Sequence, residues 1–157
     1  MNRKMALWAG CFVFFACFGI MLATGGKSVY ASPVKITLTP AMVTNTSAHG
    51  DPTLLVDEQT TAGDPAGGSG GNPTSGWHGG WNTGDYPLTA YIDLGQNYDL
   101  TNIYVYDSTG TGSFTVSSGS PGSWTQLFVD SLGTFNQWSA HSVSVTTRYI
   151  GVAMGTP

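Results

Sequence analysis

The residues best suited to chemistry lie together. Trp77-His78-Gly79-Gly80-Trp81 is followed at once by Asp85-Tyr86. A flat indole or phenol ring suits the C–H face of a sugar ring and adds contact area at low entropy cost. Histidine and aspartate beside such rings can hold hydroxyls, and Gly79 and Gly80 let the backbone approach a ligand closely. Trp77, His78, Trp81, Asp85 and Tyr86 are therefore the candidate ligand-binding residues. The other reading of Trp77 and Trp81 is that an indole plugs the open end of a barrel, and the residues leave both open. Trp124 sits within a strand motif and is expected in the core, and Trp138 is expected to pack at a strand start.

Catalytic chemistry has no comparable signature. There is no Gly-x-Ser-x-Gly elbow to present a nucleophile. His49, His78 and His141 are scattered and lack zinc-site spacing. Pairs of carboxylates arise by number alone among nine acidic residues and read as surface groups. Arg148, the one arginine beyond residue 31, is expected to pair with a carboxylate, Asp93 or Asp57.

The elements that must position these groups read as strands. Val34, Ile36 and Leu38 alternate with Lys35, Thr37 and Thr39, and Pro40 ends the run. Residues 58–87 carry nine glycines and three prolines without a strand pattern, and a loop of that length is typically functional or disordered. Its tryptophans argue against a plain linker. Beyond Pro87, Leu88, Ala90, Ile92 and Leu94 alternate with polar residues, and Gly95-Gln96-Asn97 reads as a turn. Leu100, Ile103 and Val105 lead a second strand, Phe114 and Val116 a third, and Trp124, Leu127 and Val129 a fourth. Val143 and Val145, then Ile150, Val152 and Met154, complete the series. Short strands broken by glycine and proline predict an all-β, antiparallel β-sandwich with no helix beyond two turns.

Composition agrees. Of 157 residues, 9% are charged and 22 are glycine, which leaves few residues for solvated helix faces. No basic run exists, so nucleic acid is not an expected partner. At the N-terminus Arg3 and Lys4 precede 19 uncharged residues, Met5 to Ala23, and Val29-Tyr30-Ala31 fits a small-x-Ala cleavage rule. Residues 1–31 are therefore expected to be a signal peptide, with an uncleaved N-terminal anchor as the rival. The mature chain, residues 32–157, would be secreted or held at the cell surface, and not inserted in the membrane. Its two cations, Lys35 and Arg148, stand against nine acids, leaving −7. Cys11 and Cys17 both fall in the leader, so no disulfide or thiolate metal site is expected in the mature domain.

The ordered series Leu55-Val56-Asp57, Thr60-Thr61, Ala90-Tyr91-Ile92-Asp93-Leu94-Gly95, Tyr98-Asp99-Leu100-Thr101-Asn102-Ile103, Phe114-Thr115-Val116, Gly122-Ser123-Trp124 and Arg148-Tyr149-Ile150 resembles the discoidin (coagulation factor 5/8 type C) family. It is similar also to the related bacterial carbohydrate-binding modules with a galactose-binding-like jelly roll. The resemblance implies a jelly roll that binds glycans, and a structural Ca2+ held by Asp57, Thr60 and Thr61, with Asp51 or Asp64 as helpers. The alternative for Asp57 is a turn cap. Two departures stand out. The tryptophan usual soon after the Asp-x-x-x-Thr motif lies here behind a glycine-rich insertion, at Trp77. The family's final loop and strand after Arg-Tyr-Ile are missing, so a truncated domain with further domains after Pro157 is expected. The expected function is a non-catalytic, secreted carbohydrate-binding module of a larger polysaccharide-acting or adhesive protein. The competing expectations are a structural or protein-interaction sandwich, and an enzyme whose catalytic residues lie beyond Pro157.

Overall fold

The computed structural model describes residues 3–10, 32–78, 83–107, 112–131, 133 and 136–155, with 3–10 and Thr83 described by backbone alone. Its strands are β1 (Arg3–Gly10), β2 (Val34–Ile36), β3 (Val43–Asn45), β4 (Leu88–Asp107), β5 (Phe114–Ser120), β6 (Ser123–Asp130) and β7 (Gln137–Met154). All named pairings are antiparallel. The one α-helix among the described residues, α1 (Gln59–Ala62), has four residues. No described helix is long and apolar enough to cross a membrane.

The two strands expected on either side of Gly95 are one. β4 runs 20 residues, and its pairing with β7 breaks only between Asp93 and Tyr98 and between Leu100 and Asn102. Gly95 takes φ 84°, a left-handed value that suits glycine, and its N–H donates to Asp93 Oδ1 at 2.8 Å. The chain bends there without reversing, because β7 continues along both halves. The irregularity after Leu100 accounts for a second feature. Leu100 and Ile103 are an odd number of residues apart, yet both are buried, as a one-residue slip in the ladder allows.

These two long strands build two layers. The first half of β4 pairs with β3 and with the end of β7, which carries β5 and then β6. The second half pairs with β1 and with the start of β7, and β1 holds β2. Leu88, Ile92, Phe114 and Val152 from the first layer share one apolar cluster with Leu100, Ile103 and Val105 from the second. This is the antiparallel β-sandwich that the alternation predicts.

β1 belongs to the segment that the sequence reading removes on export. In the full chain it fills the place between β2 and β4, from Arg3 opposite Asp107 to Gly10 opposite Asp99.

The glycine-rich excursion is tied to the sandwich. The Glu58 carboxylate accepts from the Thr74 and Ser75 N–H groups at 2.9 and 2.8 Å. Trp138 Nε1 donates to the Gly71 carbonyl at 2.9 Å and its ring packs at a tilt against Tyr106, as its expected packing role requires. Lys35 reaches in to donate to the Gly63 carbonyl. Burial lowers its pKa and the Asp64 carboxylate opposes that shift. Burial also raises the Tyr106 pKa, helped by the neighbouring Asp107 charge.

Candidate functional site

The site begins where β3 ends. Asn45 lies opposite Ala90, so the chain leaving β3 and the chain entering β4 emerge at the same end of the sheet. Asn45 shapes the exit loop, with its Oδ1 accepting from the Ser47 N–H at 3.0 Å and its Nδ2 donating to the Gly50 carbonyl at 3.1 Å. That loop carries His49, whose Nε2 lies 3.4 Å from Asp85 Oδ1. Gly50 has φ 75°, and a Cβ there would come 2.8 Å from Trp77 Nε1 and 2.9 Å from the His78 carbonyl. Both the angle and the space call for glycine. The bare backbone at Gly50 thus brings the loop against Trp77 and His78.

At this end His49 meets Asp85, and the His78 backbone carbonyl lies against Gly50 of the same loop. His78 is exposed, and Asp85 and Tyr86 are half-buried, with Tyr86 packed against the core. Trp81 lies outside the described residues. Trp77 requires a correction. Its side chain is 0% exposed and part of the core cluster, so neither ring face is open to a sugar. Of its two sequence readings, the packing role is the one the fold realises. Apolar burial of so large a ring outweighs leaving its indole N–H without an acceptor among the described residues. His49 is the residue that sequence reasoning missed. No spacing rule links it to Asp85, since 36 residues separate them and only strand pairing joins their loops.

A second correction concerns Trp124. It was expected in the core, but its side chain is 39% exposed, on the outer face of the first layer. A groove of about 290 Å³ runs beside it, lined among others by Tyr91, Thr89, Ser117 and Gly151. Tyr91 connects two rings, with centroids 6.2 Å from Trp124 and 5.9 Å from Tyr149 in an edge-on contact.

Arg148 pairs with Asp93, one of its two expected partners. Nε and Nη2 donate to the two carboxylate oxygens, each at 2.7 Å. The Asp93 pKa falls to about 2, mainly through the Arg148 hydrogen bond, and that bond also raises the Arg148 pKa. The pair lies at the surface, so no buried charge needs neutralising. Arg148 also sits 5.0 Å from the Tyr149 ring centre.

Asp57, Thr60 and Thr61, the residues expected to hold Ca2+, lie within five positions of each other. Asp57 Oδ2 accepts from Ser75 Oγ at 2.9 Å, and Thr60 and Thr61 lie in α1. The expected helpers are otherwise engaged. Asp51 caps the turn at residues 52–55 by accepting from the Thr53 N–H at 3.0 Å, and Asp64 accepts from the Gly67 N–H at 2.9 Å. Among the described residues no three His, Cys, Asp or Glu side chains converge on one point. Asp57, Thr60 and Thr61 carry oxygens of the kind that Ca2+ takes, and backbone carbonyls would have to complete its six to eight. His141 is committed elsewhere. It stacks on Phe128 at 3.8 Å and bonds Asp130 Oδ2 at 3.1 Å.

No known protein family matches the sequence, and no curated protein does. Solved structures are similar in fold. The family 32 carbohydrate-binding module of C. perfringens NanJ, solved with galactose, superposes with TM-score 0.51 at 14% identity over 76% of this chain and 86% of that one. The family 32 module of AlyQ, solved with 4,5-unsaturated mannuronic acid, gives TM-score 0.46 at 20% identity over 72% and 80%. A truncated AlyQ with its family 32 module and alginate lyase domains gives 0.37 at 24% identity over 43% of this chain, which spans 19% of that one. The fold is thus similar to the β-sandwich of the NanJ family 32 module, in line with what the resemblance implied.

Proposed function

We propose that this chain is a non-catalytic carbohydrate-binding domain that holds its glycan at the end of the sandwich where β3 leaves and β4 begins. The observation that carries the reading is the approach of His49 to Asp85 at 3.4 Å, in a loop seated on Trp77-His78. Donors and acceptors fixed on a rigid base suit sugar hydroxyls, because little side-chain freedom is lost on binding. His49, His78, Asp85 and Tyr86 take the hydroxyls, and Trp81 supplies the ring face. The solved relative that holds galactose supports a sugar as the ligand class. A glycan array probed with the wild-type domain and with Asp85→Ala tests this reading, and a wild type that binds no glycan contradicts it.

The proposal includes export, with residues 1–31 removed as a leader, and a place as the N-terminal module of a larger polysaccharide-acting or adhesive protein. N-terminal sequencing of the exported protein should begin at Ser32. A start that retains β1 contradicts the leader reading. A structural Ca2+ at Asp57, Thr60 and Thr61 completes the proposal.

A further inference from the structure

The loop site leaves the outer face of the first layer unused. The alternation that sends Ala90, Ile92 and Val152 into the core sends Thr89, Tyr91 and Gly151 outward. The groove of about 290 Å³ lies across them. Its chemistry is specific. Trp124 and Tyr91 offer ring faces, Thr46, Thr89 and Ser117 offer hydroxyls, and no charged side chain lines it among the described residues. An anionic ligand would find no countercharge there. An apolar peptide would cover the Thr46–Thr89 hydroxyl pair, which is bonded at 2.8 Å, with nothing for its remaining donor and acceptor capacity. A pyranose offers both C–H faces and hydroxyls. The volume lies at the small end of ligand pockets, roughly 300–1,000 Å³, and suits a sugar ring or two better than a chain of residues.

The ring that would stack rests on the sheet. A Cβ at Gly151 would come 2.9 Å from the six-membered ring of Trp124, so the indole rests on bare backbone, with Tyr91 6.2 Å from it between centroids. The groove also adjoins the loop site. Thr46 lines it, and three residues further on stands His49, at most about 11 Å along an extended chain. We propose that this groove is a second subsite for a neutral pyranose of the same glycan, with Trp124 as its stacking platform, so that the ligand is an oligosaccharide. The proposal rests on the carbohydrate-binding reading of the loop site.

The test uses an array of neutral glycans graded by chain length. The best-binding tetrasaccharide and its terminal monosaccharide are then titrated by NMR into wild type, Trp124→Ala, Trp124→Phe and Asp85→Ala. The tetrasaccharide should move the Trp124 indole N–H signal, and the monosaccharide should not. Trp124→Ala should weaken the tetrasaccharide about tenfold and leave the monosaccharide unchanged. Trp124→Phe, which keeps a ring and guards against loss of the fold, should retain most of the affinity. Equal binding of the tetrasaccharide by wild type and both Trp124 variants overturns the groove alone. Failure of wild type to bind any glycan overturns both sites. Loss of monosaccharide binding in Asp85→Ala with the Trp124 shift retained supports the groove and shows that it stands apart from the loop.

Discussion

Trp124 lies against the backbone of Gly151, and a single added methyl group would come within 2.9 Å of two atoms of its ring and 3.2 Å of a third. That contact gives a tryptophan 39% exposed a bed of bare backbone to rest on. It also makes Gly151 a positioning residue for the outer face.

Gly151→Ala should therefore displace the indole. Overpacking of this kind costs about 1–3 kcal/mol, less where the neighbour can swing toward solvent, as Trp124 can. A modest fall in melting temperature with a shifted Trp124 indole N–H signal is expected. An unchanged signal contradicts the contact.

Trp77 should behave in the opposite way. Its 0% exposure makes Trp77→Ala a core deletion, with an expected loss of about 3–5 kcal/mol. Urea denaturation checks this. A variant as stable as wild type would place Trp77 at the surface after all.

The difference between these two tryptophans marks how far the sequence can be read. Period-two alternation identified the inward faces of β4, β5 and the end of β7, because one-sided burial imposes that pattern. Trp77 carries no such pattern. It lies among glycines, and its burial depends on tertiary packing in the core, with Gly50 against its indole. At Trp124 simple alternation does not settle the face, because β6 bulges between Gln126 and Phe128, so that Leu127 and Phe128 both pack against the core while Trp124 stays exposed. The link from His49 to Asp85 was not legible, since it depends on the pairing of β3 with β4. The turn at Gly95 was read from composition, but whether a turn reverses or bends a strand is decided by the partner strand, here β7.

Acid should weaken the fold through Asp93. Its carboxyl ionises near pH 2 in the folded chain against an ordinary 3.8, so the charged form is favoured by folding. The stabilisation is complete above about pH 4 and is lost as pH falls through 2. Wild type should melt above Asp93→Asn near neutral pH, with the gap closing by about pH 2. Because the pair is exposed and screened, the gap should be small and should shrink in high salt. A gap that widens in acid contradicts the assignment.

Calcium should raise the melting temperature if Asp57, Thr60 and Thr61 hold it. At a Ca2+ concentration about 100 times Kd the gain is about 2.7 kcal/mol, and Asp57→Ala should abolish it. Equal melting in EDTA and in excess Ca2+ removes the metal from the account.

The most direct test of the central claim is calorimetric titration of wild type, Asp85→Ala and Trp81→Ala with the strongest ligand from a glycan array. All three proteins should give the same circular dichroism spectrum. Each variant should lose about 1–3 kcal/mol of affinity if the proposed site is right, with Asp85 beside His49 and Trp81 as the proposed stacking ring. Binding by both folded variants with wild-type affinity would contradict the claim that the glycan is held at the β3–β4 end.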